Sequence, residues 1–437
     1  MIRPITWLFL FGTITPSVFG QQMLPELDFW RPNNHVLCIS VDSANNVAYI
    51  GGLFTSLTDP DPPFTTVTRN YAAAIDLTTG EPLPWNPDPD SYVYSLTHTA
   101  TSVYLGGGFY TIGGQARENL AAVNKSSGAA LPWNPALSSG AVRAMAIASG
   151  KLFVGGGFIS VAGSPRNYAA AFDLNTGNLT NWNPSPSDYI LAMQPLGNTM
   201  YLGGYFNTLA GGLPSPFLAG VDLDDGTTLS YVEAPNAPVW ALATTMGRLY
   251  LGGEFTEVGG EPRSYAAALL AGSLTGWLPQ PDAIVNDLVG MGAQVCIGGN
   301  FLTAGGQAYN SRLVVVDAIT GAATAWNPGV NEGISALATS GGRVLVGGVF
   351  STAMQFEQRN FVSFTPAPPL VRVQPQVFLE GCYVSTQLNM HDSLRRASLV
   401  PQTEPYTALG YSYTADGAYG TLPATVMANT SNAAVVD

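Results

Sequence analysis

Short apolar stretches alternate with turns rich in glycine, proline and asparagine along most of the chain, in a repeating order. One apolar stretch, such as residues 142–146, begins thirteen residues before a glycine pair, and a second, such as Phe153-Val154, directly precedes that pair. A third stretch like residues 71–76 follows, then a turn of the Thr-Gly kind and a fourth stretch that usually ends in Trp-Asn-Pro. Each unit therefore predicts four short antiparallel strands joined by turns.

The unit repeats with a period near 50 residues. A glycine pair followed two residues later by phenylalanine occurs seven times, at steps of 55, 49, 48, 49, 46 and 49 residues. Such a period is typical of propellers and solenoids, and four-stranded units bury both faces when they pack around an axis. The pattern predicts an all-β, seven-bladed β-propeller of four-stranded antiparallel blades. The first glycines of the pairs are Gly51, Gly106, Gly155, Gly203, Gly252, Gly298 and Gly347.

Tryptophan marks the fourth strand of nearly every unit, with Tyr231 in the remaining place. A side chain repeated in each blade serves the architecture, whereas a ligand site normally breaks the symmetry, so we interpret these residues as core wedges. The same logic assigns a repeated arginine before the third strand to an ion pair or a clamp on a carbonyl. The tryptophans are Trp30, Trp85, Trp133, Trp182, Trp277 and Trp326, and the arginines are Arg69, Arg117, Arg166, Arg263 and Arg359, with Arg312 displaced by two.

The two ends of the repeat array are complementary. The seventh unit lacks a fourth strand, because no Thr-Gly turn or Trp-Asn-Pro follows residues 360–364. Residues 27–32 carry the Trp-x-Pro signature of a fourth strand without three strands before it. We therefore predict that residues 26–31 close the ring as the outermost strand of the seventh blade, antiparallel to the strand around Val362, with Trp30 buried.

Composition and charge narrow the function classes. Charged residues make up 10% of the chain and the formal net charge is −13, so no basic surface for nucleic acid is expected. Residues 1–20 have the pattern of a secretory signal peptide, and no later stretch predicts a membrane span, which indicates a secreted or cell-surface protein. The three cysteines and three histidines have no metal-ligand spacing, and we expect neither a metal nor a cofactor.

The units resemble propeller repeats of known families. The rhythm Asp-x-x-Thr-Gly-x-x-x-x-Trp at residues 76–85 looks like the tryptophan-docking repeats of quinoprotein propellers, and the glycine pairs look like those of kelch repeats. Over residues 28–365 the sequence is most similar overall to uncharacterised propeller repeats of large exported bacterial proteins. This resemblance implies the fold and no particular activity.

A second resemblance lies near the C-terminus. The stretch at residues 378–381 and the segment from Pro401 to Tyr406 look like a part common in surface proteins of bacteria that use type IX secretion. That part usually continues further, so the resemblance implies a truncated, β-rich second domain. The predicted organisation is a signal peptide at 1–20, a monomeric propeller at 21–367 and the start of a second domain at 368–437.

Residues that break the repeat symmetry are candidates for ligand binding. Propellers generally bind ligands on the face of the loops that join the fourth strand to the next first strand. Position two of the first strand varies, and Tyr94, Arg143 and Trp240 there combine aromatic faces with a charged donor, which suits a sugar or a peptide. Packing between blades is the competing interpretation. Acidic residues on the same loops are further candidates: Asp88, Asp90, Asp188, Asp282 and Glu332.

These observations leave three hypotheses for the function. The leading hypothesis is a non-enzymatic binding module of an exported protein, with an unknown glycan or protein ligand. The first alternative is an enzyme, either a quinoprotein dehydrogenase or a polysaccharide hydrolase or lyase, although no vicinal cysteine pair, triad or carboxylate pair stands out. The second alternative is a structural spacer in an adhesin.

Overall fold

The computed structural model describes residues 23–138, 140–229, 232–308 and 311–366, together with five strands nearer the C-terminus. Within these ranges the structure is almost entirely β, and the one helical element is a short 3-10 turn at Ala210–Gly212. The chain divides into two compact units, Met1–Pro366 and Ala367–Asp437. The predicted signal peptide lies outside the described residues.

Seven antiparallel sheets repeat one arrangement in the described part of the first unit, and we number them blades 1 to 7 along the chain. Each blade has a first strand paired with a second strand, which pairs with a third. The first strands are Val36–Asp42, Val93–His98, Val142–Ala148, Ile190–Leu196, Val239–Thr245, Val285–Met291 and Ile334–Ser340. The second strands are Val47–Gly52, Ser102–Gly107, Lys151–Gly156, Thr199–Gly204, Arg248–Gly253, Gln294–Gly299 and Arg343–Gly348. The third strands are Ala72–Asp76, Leu120–Asn124, Ala169–Asp173, Leu218–Asp222, Ala266–Leu270, Leu313–Asp317 and Phe361–Pro366.

The first strands form a closed ring around an axis. Each contacts the first strand of the next blade, and the first strand of blade 7 contacts that of blade 1. Antiparallel sheets packed in a circle define a β-propeller. The predicted all-β propeller fold is therefore confirmed.

Tryptophan side chains connect neighbouring blades. The ring of Trp182 is fully buried and lies edge-on to Phe153, with 5.0 Å between centroids. Its indole N–H donates to the carbonyl oxygen of Asp222 in the next blade at 2.9 Å. Tyr231, in the corresponding place one blade on, lies outside the described residues. Equivalent bonds run from Trp85 to Asn124, from Trp133 to Gly177, from Trp277 to Asp317 and from Trp326 to Met23.

The fourth strands are much shorter than the sequence predicted. In blade 5 the fourth strand is Ser273–Leu274. In five other blades it is reduced to a single β-bridge, such as Ile75 with Pro82 and Phe172 with Leu179. The chain leaves the sheet to place its tryptophan against the next blade, and the prolines around it cannot donate to a ladder.

The N-terminal segment closes the ring, in a register that differs from our prediction. The strand Met23–Glu26 pairs antiparallel with Phe361–Pro366, so that Glu26 lies opposite Ser363. The closing strand therefore lies earlier in the chain than the predicted residues 26–31 and shares only Glu26 with them. It makes blade 7 a four-stranded sheet.

Because of the same shift, the prediction that Trp30 is buried is wrong. Phe29 is buried, contacts the ring of Phe361 at 6.0 Å and packs under Gly80 of blade 1. The next backbone N–H, that of Trp30, donates to the oxygen of Gly80. Phe29 thus occupies the wedge position, and Trp30 is only half-buried, because a shift of one residue turns a side chain to the other face.

Each blade carries a further hairpin between its second and third strands, which the sequence analysis did not predict. In blade 3, Ser160–Val161 pairs with Ser164–Pro165, and Leu137 before the first strand bridges to Val161. The hairpin of blade 1 also pairs with Arg31–Pro32. The other hairpins join Ser56–Thr58 to Thr66–Thr68, Thr111–Ile112 to Gln115–Ala116, Thr208–Leu209 to Leu213–Pro214, Glu257–Val258 to Glu261–Pro262, Thr303–Ala304 to Gln307–Ala308, and Thr352–Ala353 to Phe356–Glu357.

The second unit contains β-strands, in agreement with the expected β-rich segment. Gln376–Leu379 and Cys382–Ser385 form a hairpin. Tyr406–Tyr413, Tyr419–Ala428 and Ala434–Val436 form an antiparallel sheet in that order.

Candidate functional site

Every first strand contains a β-bulge at its second residue. In blade 3, Val142 lies opposite Gly156 and Ala144 lies opposite Gly155, so that Arg143 has no partner of its own. A bulged residue leaves the regular alternation of the strand, and bulges often aim a side chain at a functional site. We call these seven positions the axial ring: Leu37, Tyr94, Arg143, Leu191, Trp240, Asn286 and Ser335.

The glycine pairs make room for this geometry. A Cβ on Gly51 would lie 2.6 Å from a methyl group of Val93, which begins the first strand of the next blade. A Cβ on Gly52 would lie 2.1 Å from the carbonyl oxygen of His35, directly before the first strand of the same blade. The first glycine therefore permits close blade packing, and the second permits the backbone approach beside the bulge.

The residue after each glycine pair borders the axial ring. Its backbone N–H donates to the carbonyl that precedes the first strand, as Gly157 does to Ala141 and Tyr205 does to Tyr189. This hydrogen bond holds the backbone of the residue in the same place in every blade, while its side chain varies. The residues are Leu53, Gly108, Gly157, Tyr205, Glu254, Asn300 and Val349.

Two of the predicted site residues are in contact. The guanidinium carbon of Arg143 lies 4.6 Å from the centre of the Tyr94 ring, a cation–π arrangement between blades 2 and 3. The Arg143 side chain is exposed. It makes no hydrogen bond or ion pair with the described part of the chain.

Tyrosines that the sequence analysis missed surround this pair. Tyr92, which contacts the ring of Tyr94 edge-on at 6.4 Å, and Tyr189 are each 42% exposed. Tyr205 is 39% exposed. Burial and the carboxylate of Glu254 raise the pKa of Tyr205, while Arg143 lowers it, so both charged groups act on this tyrosine. The same search for variable positions at a fixed place in the repeat would have found them.

Trp240 occupies the axial ring in blade 5. Its side chain is half-buried, and the indole Nε1 atom itself is buried. No acceptor for this N–H lies in the described part of the chain. An unsatisfied buried donor costs free energy until an acceptor is supplied.

Two further positions of the axial ring, Asn286 and Ser335, form hydrogen bonds with neighbouring blades. Asn286 donates from Nδ2 to the oxygen of Ile334 at 2.8 Å. Ser335 shares a hydrogen bond of 2.7 Å with Nε2 of His35. Within the axial ring and beside it, the unpaired donors and the exposed tyrosines thus lie on blades 2 to 5. We call Tyr92, Tyr94, Arg143, Tyr189, Tyr205, Trp240 and Glu254 the axial site.

Two of the predicted carboxylates have a structural task. Asp90 accepts the backbone N–H of Tyr110 at 2.8 Å, and Asp282 accepts those of Leu302 and Thr303. Although burial opposes it, these hydrogen bonds lower the pKa of Asp282. The same position in the other blades holds the equivalent acceptors Asn33, Ser138, Ser187, Asn236 and Asn331. Asp90 and Asp282 therefore belong to a repeated loop cap.

The other three predicted acidic residues are dispersed. Asp88 adopts a left-handed backbone conformation, with φ 51°, and accepts Nδ2 of Asn70 at 2.7 Å. Asp188 accepts the N–H of Tyr189 and interacts electrostatically with Tyr205. Glu332 is exposed on the loop before blade 7.

The repeated arginines act as carbonyl clamps. Arg117 donates to the oxygen of Leu131, fourteen residues further on, at 2.8 Å. Arg69, Arg166 and Arg263 make the corresponding bonds to Leu83, Thr180 and Thr275. Arg359 instead pairs with Glu357 at 2.8 Å, and Arg312 donates to the oxygen of Asn300.

One half-buried carboxyl group lies directly beside the axial ring. Asp287 follows the bulged Asn286 and accepts the N–H groups of Leu288 and Leu337. Burial raises its pKa to about 7. It joins the first strands of blades 6 and 7.

The described residues contain neither a metal-binding cluster nor a membrane-spanning helix. Histidine, cysteine, aspartate and glutamate do not gather there in groups of three or more that could bind a metal ion. None of the helices described there is long and apolar enough to cross a membrane.

Comparison with known proteins identifies the fold. No protein-family model and no curated protein matches the sequence. The crystal structure of the computationally designed Ika8 protein matches with a TM-score of 0.51 and 16% identity, over 78% of this chain and 97% of that one. The RRP9 WD40 repeats match with a TM-score of 0.52 and 10% identity, over 80% of this chain and 98% of that one. The chain is thus an all-β repeat protein with a propeller fold similar to that of WD40 repeats.

Proposed function

We propose that this chain is an exported interaction module that binds a glycan at the axial site. A propeller of the WD40 kind suits a role in interactions. The choice of the axial site depends on the uneven distribution of side chains around an otherwise repeated ring. Blades 2 to 5 supply the exposed tyrosines and the unpaired guanidinium of Arg143, whereas Asn286 and Ser335 of the axial ring bond within the propeller.

A glycan fits this chemistry better than a flat protein surface does. The rings of Tyr92, Tyr189 and Tyr205 offer apolar faces for sugar rings, and their hydroxyl groups, with Glu254, offer hydrogen bonds. These groups are grouped near the axis, where a chain end or a branch of a glycan can enter.

Location and context are part of the proposal. The signal-peptide pattern at residues 1–20 supports export to the cell surface or the medium, in a bacterium with type IX secretion as the tail resemblance suggests. A propeller of this kind would act as a single binding unit within a longer surface protein.

A blocking substitution tests the site. Gly108 borders Tyr94, and a Cβ there would meet only the edge of that ring, at 3.8 Å. Leu53 occupies the same position in blade 1, so we expect Gly108→Leu to fold normally and to obstruct the axial site. Binding to an oligosaccharide array should fall at least about tenfold, or roughly 1.4 kcal/mol.

Gly276→Leu is the matched control. A Cβ at Gly276, in the fourth strand region of blade 5, meets no atom within 4 Å. Binding that is equal in both variants would place the ligand elsewhere. An array with no bound glycan would instead favour the spacer hypothesis.

A further inference from the structure

We propose that Arg143 binds the oxyanion of an acidic sugar, a carboxylate or a sulfate, and so selects acidic glycans. This inference rests on the proposed glycan-binding function and names the class of ligand. It follows from the state of the Arg143 side chain, from the space around it and from the charges nearby.

The guanidinium of Arg143 has donors to spare. It carries five N–H groups in a planar fork that matches two oxygens of a carboxylate or sulfate. The repeated arginines that act as carbonyl clamps donate their N–H groups to backbone carbonyls, as Arg117 does to Leu131. Arg143 is exposed and finds no such partner in the described residues, and its contact is with the face of Tyr94. That stacking leaves the edge of the fork free for an anion.

The space beside Arg143 is kept open by glycine. The bordering positions of blades 2 and 3 are Gly108 and Gly157, whereas blades 1, 4 and 5 have Leu53, Tyr205 and Glu254 there. At Gly108 a side chain would meet little, and at Gly157 a Cβ would lie 2.3 Å from the ring of Tyr189. The two glycines therefore admit a ligand on one side and the Tyr189 ring on the other.

The negative charges near Tyr205 limit the ligand to one acidic group in the axial site. Glu254 and Asp188 both act on Tyr205, on the blade 4 side of Arg143. A second oxyanion near them would be repelled, whereas their oxygens can accept hydrogen bonds from sugar hydroxyls. The geometry thus favours an acidic residue over Arg143 followed by neutral hydroxyls toward blades 4 and 5.

The test compares matched sugars and matched variants. An array with galacturonan oligosaccharides, their methyl esters, sulfated galactan oligosaccharides and neutral galactan oligosaccharides is probed with the secreted chain, and bound sugars are titrated by calorimetry. We expect an acidic oligosaccharide to bind at least about tenfold more tightly than its ester or neutral form. Arg143→Gln should abolish that preference, so that acidic and neutral oligosaccharides bind with equal affinity.

Arg248→Gln is the control, because Arg248 begins the second strand at the opposite end of blade 5. The relative affinity for uronates and sulfates distinguishes the two sources of the oxyanion. Equal binding of acidic and neutral sugars, or a preference that survives Arg143→Gln, would overturn the inference while Gly108→Leu still tests the binding module. Equal Arg143-dependent binding of a polyglutamate peptide, or no acidic sugar bound at all, would also overturn it.

Discussion

Removal of the closing strand should destabilise the whole propeller by a measurable amount. We compare a chain that starts at Met23 with one that starts at Leu27, so that they differ only by residues 23–26. The longer chain retains the pairing of Glu26 with Ser363 and the bond from the Trp326 indole to the oxygen of Met23, at 3.0 Å. The shorter chain exposes the edge of the third strand of blade 7.

The structure gives the magnitude. Burial of Met23 and Pro25 contributes about 3 kcal/mol, and the backbone ladder contributes about 4 kcal/mol. The hydrogen bond of the Trp326 indole and the ion pair between Glu26 and Arg343 together contribute about 2 kcal/mol. Ordering four residues costs about 6 kcal/mol. The net loss of about 3 kcal/mol should lower Tm by roughly 4 °C, at about 2.1 cal/mol/K per residue.

Differential scanning fluorimetry and urea unfolding measure this difference. A peptide of residues 21–32 added to the shorter chain should recover part of the loss, because it restores the missing strand. Equal stability of the two chains would show that the ring is closed by contacts between blades and that the strand is an appendage.

Three further predictions concern single residues. Gly52→Ala should destabilise the fold more than Gly51→Ala does, by about 1–3 kcal/mol in urea unfolding. The new Cβ at Gly52 would lie 2.1 Å from the backbone oxygen of His35, which can move less easily than the side chain of Val93. The reverse order of stabilities would contradict our account of the glycine pair. Trp240→Phe should leave stability unchanged or up to about 1 kcal/mol higher, since it removes an unsatisfied buried N–H, and it should weaken glycan binding in calorimetry if the ligand supplies the acceptor. Burial raises the pKa of the Asp287 carboxyl to about 7, so this group contributes about 2–4 kcal/mol of stability that is fully present below pH 4 and lost as the pH rises through 7. Burial lowers the pKa of His35 and His98, which gives the opposite trend, and the difference in stability between the natural chain and Asp287→Asn should therefore isolate the Asp287 contribution. Parallel pH profiles of the two chains would refute this prediction.

The sequence predicted the elements whose residues repeat. Glycine pairs and tryptophans sit at fixed places in each unit, so the order of strands within a blade could be inferred from one unit and checked in the others. The closing strand was found from the missing parts at the two ends. Its register was wrong because two aromatic residues, Phe29 and Trp30, stand side by side, and only packing under Gly80 decides which one faces the core.

The candidate site was only partly predictable. Variation at position two of the first strand pointed to Tyr94 and Arg143, which the structure brings together. Asp90 and Asp282 were chosen for their charge, although asparagine and serine accept the same loop hydrogen bonds in other blades. The effect of Arg143 on the pKa of Tyr205 could not be inferred, because it depends on how blades 3 and 4 pack against each other.

The bulges of the first strands separate the variable side chains of the axial ring from the pairing of the sheet. Each one holds a side chain that the sheet does not need for its hydrogen bonds, beside a glycine pair that fixes the backbone. Substitution at one bulge therefore leaves the backbone pairing of its sheet unchanged, although Asn286 and Ser335 also bond to a neighbouring blade. A protein built in this way can acquire a new ligand preference one residue at a time, and the propeller can keep its stability while its specificity evolves.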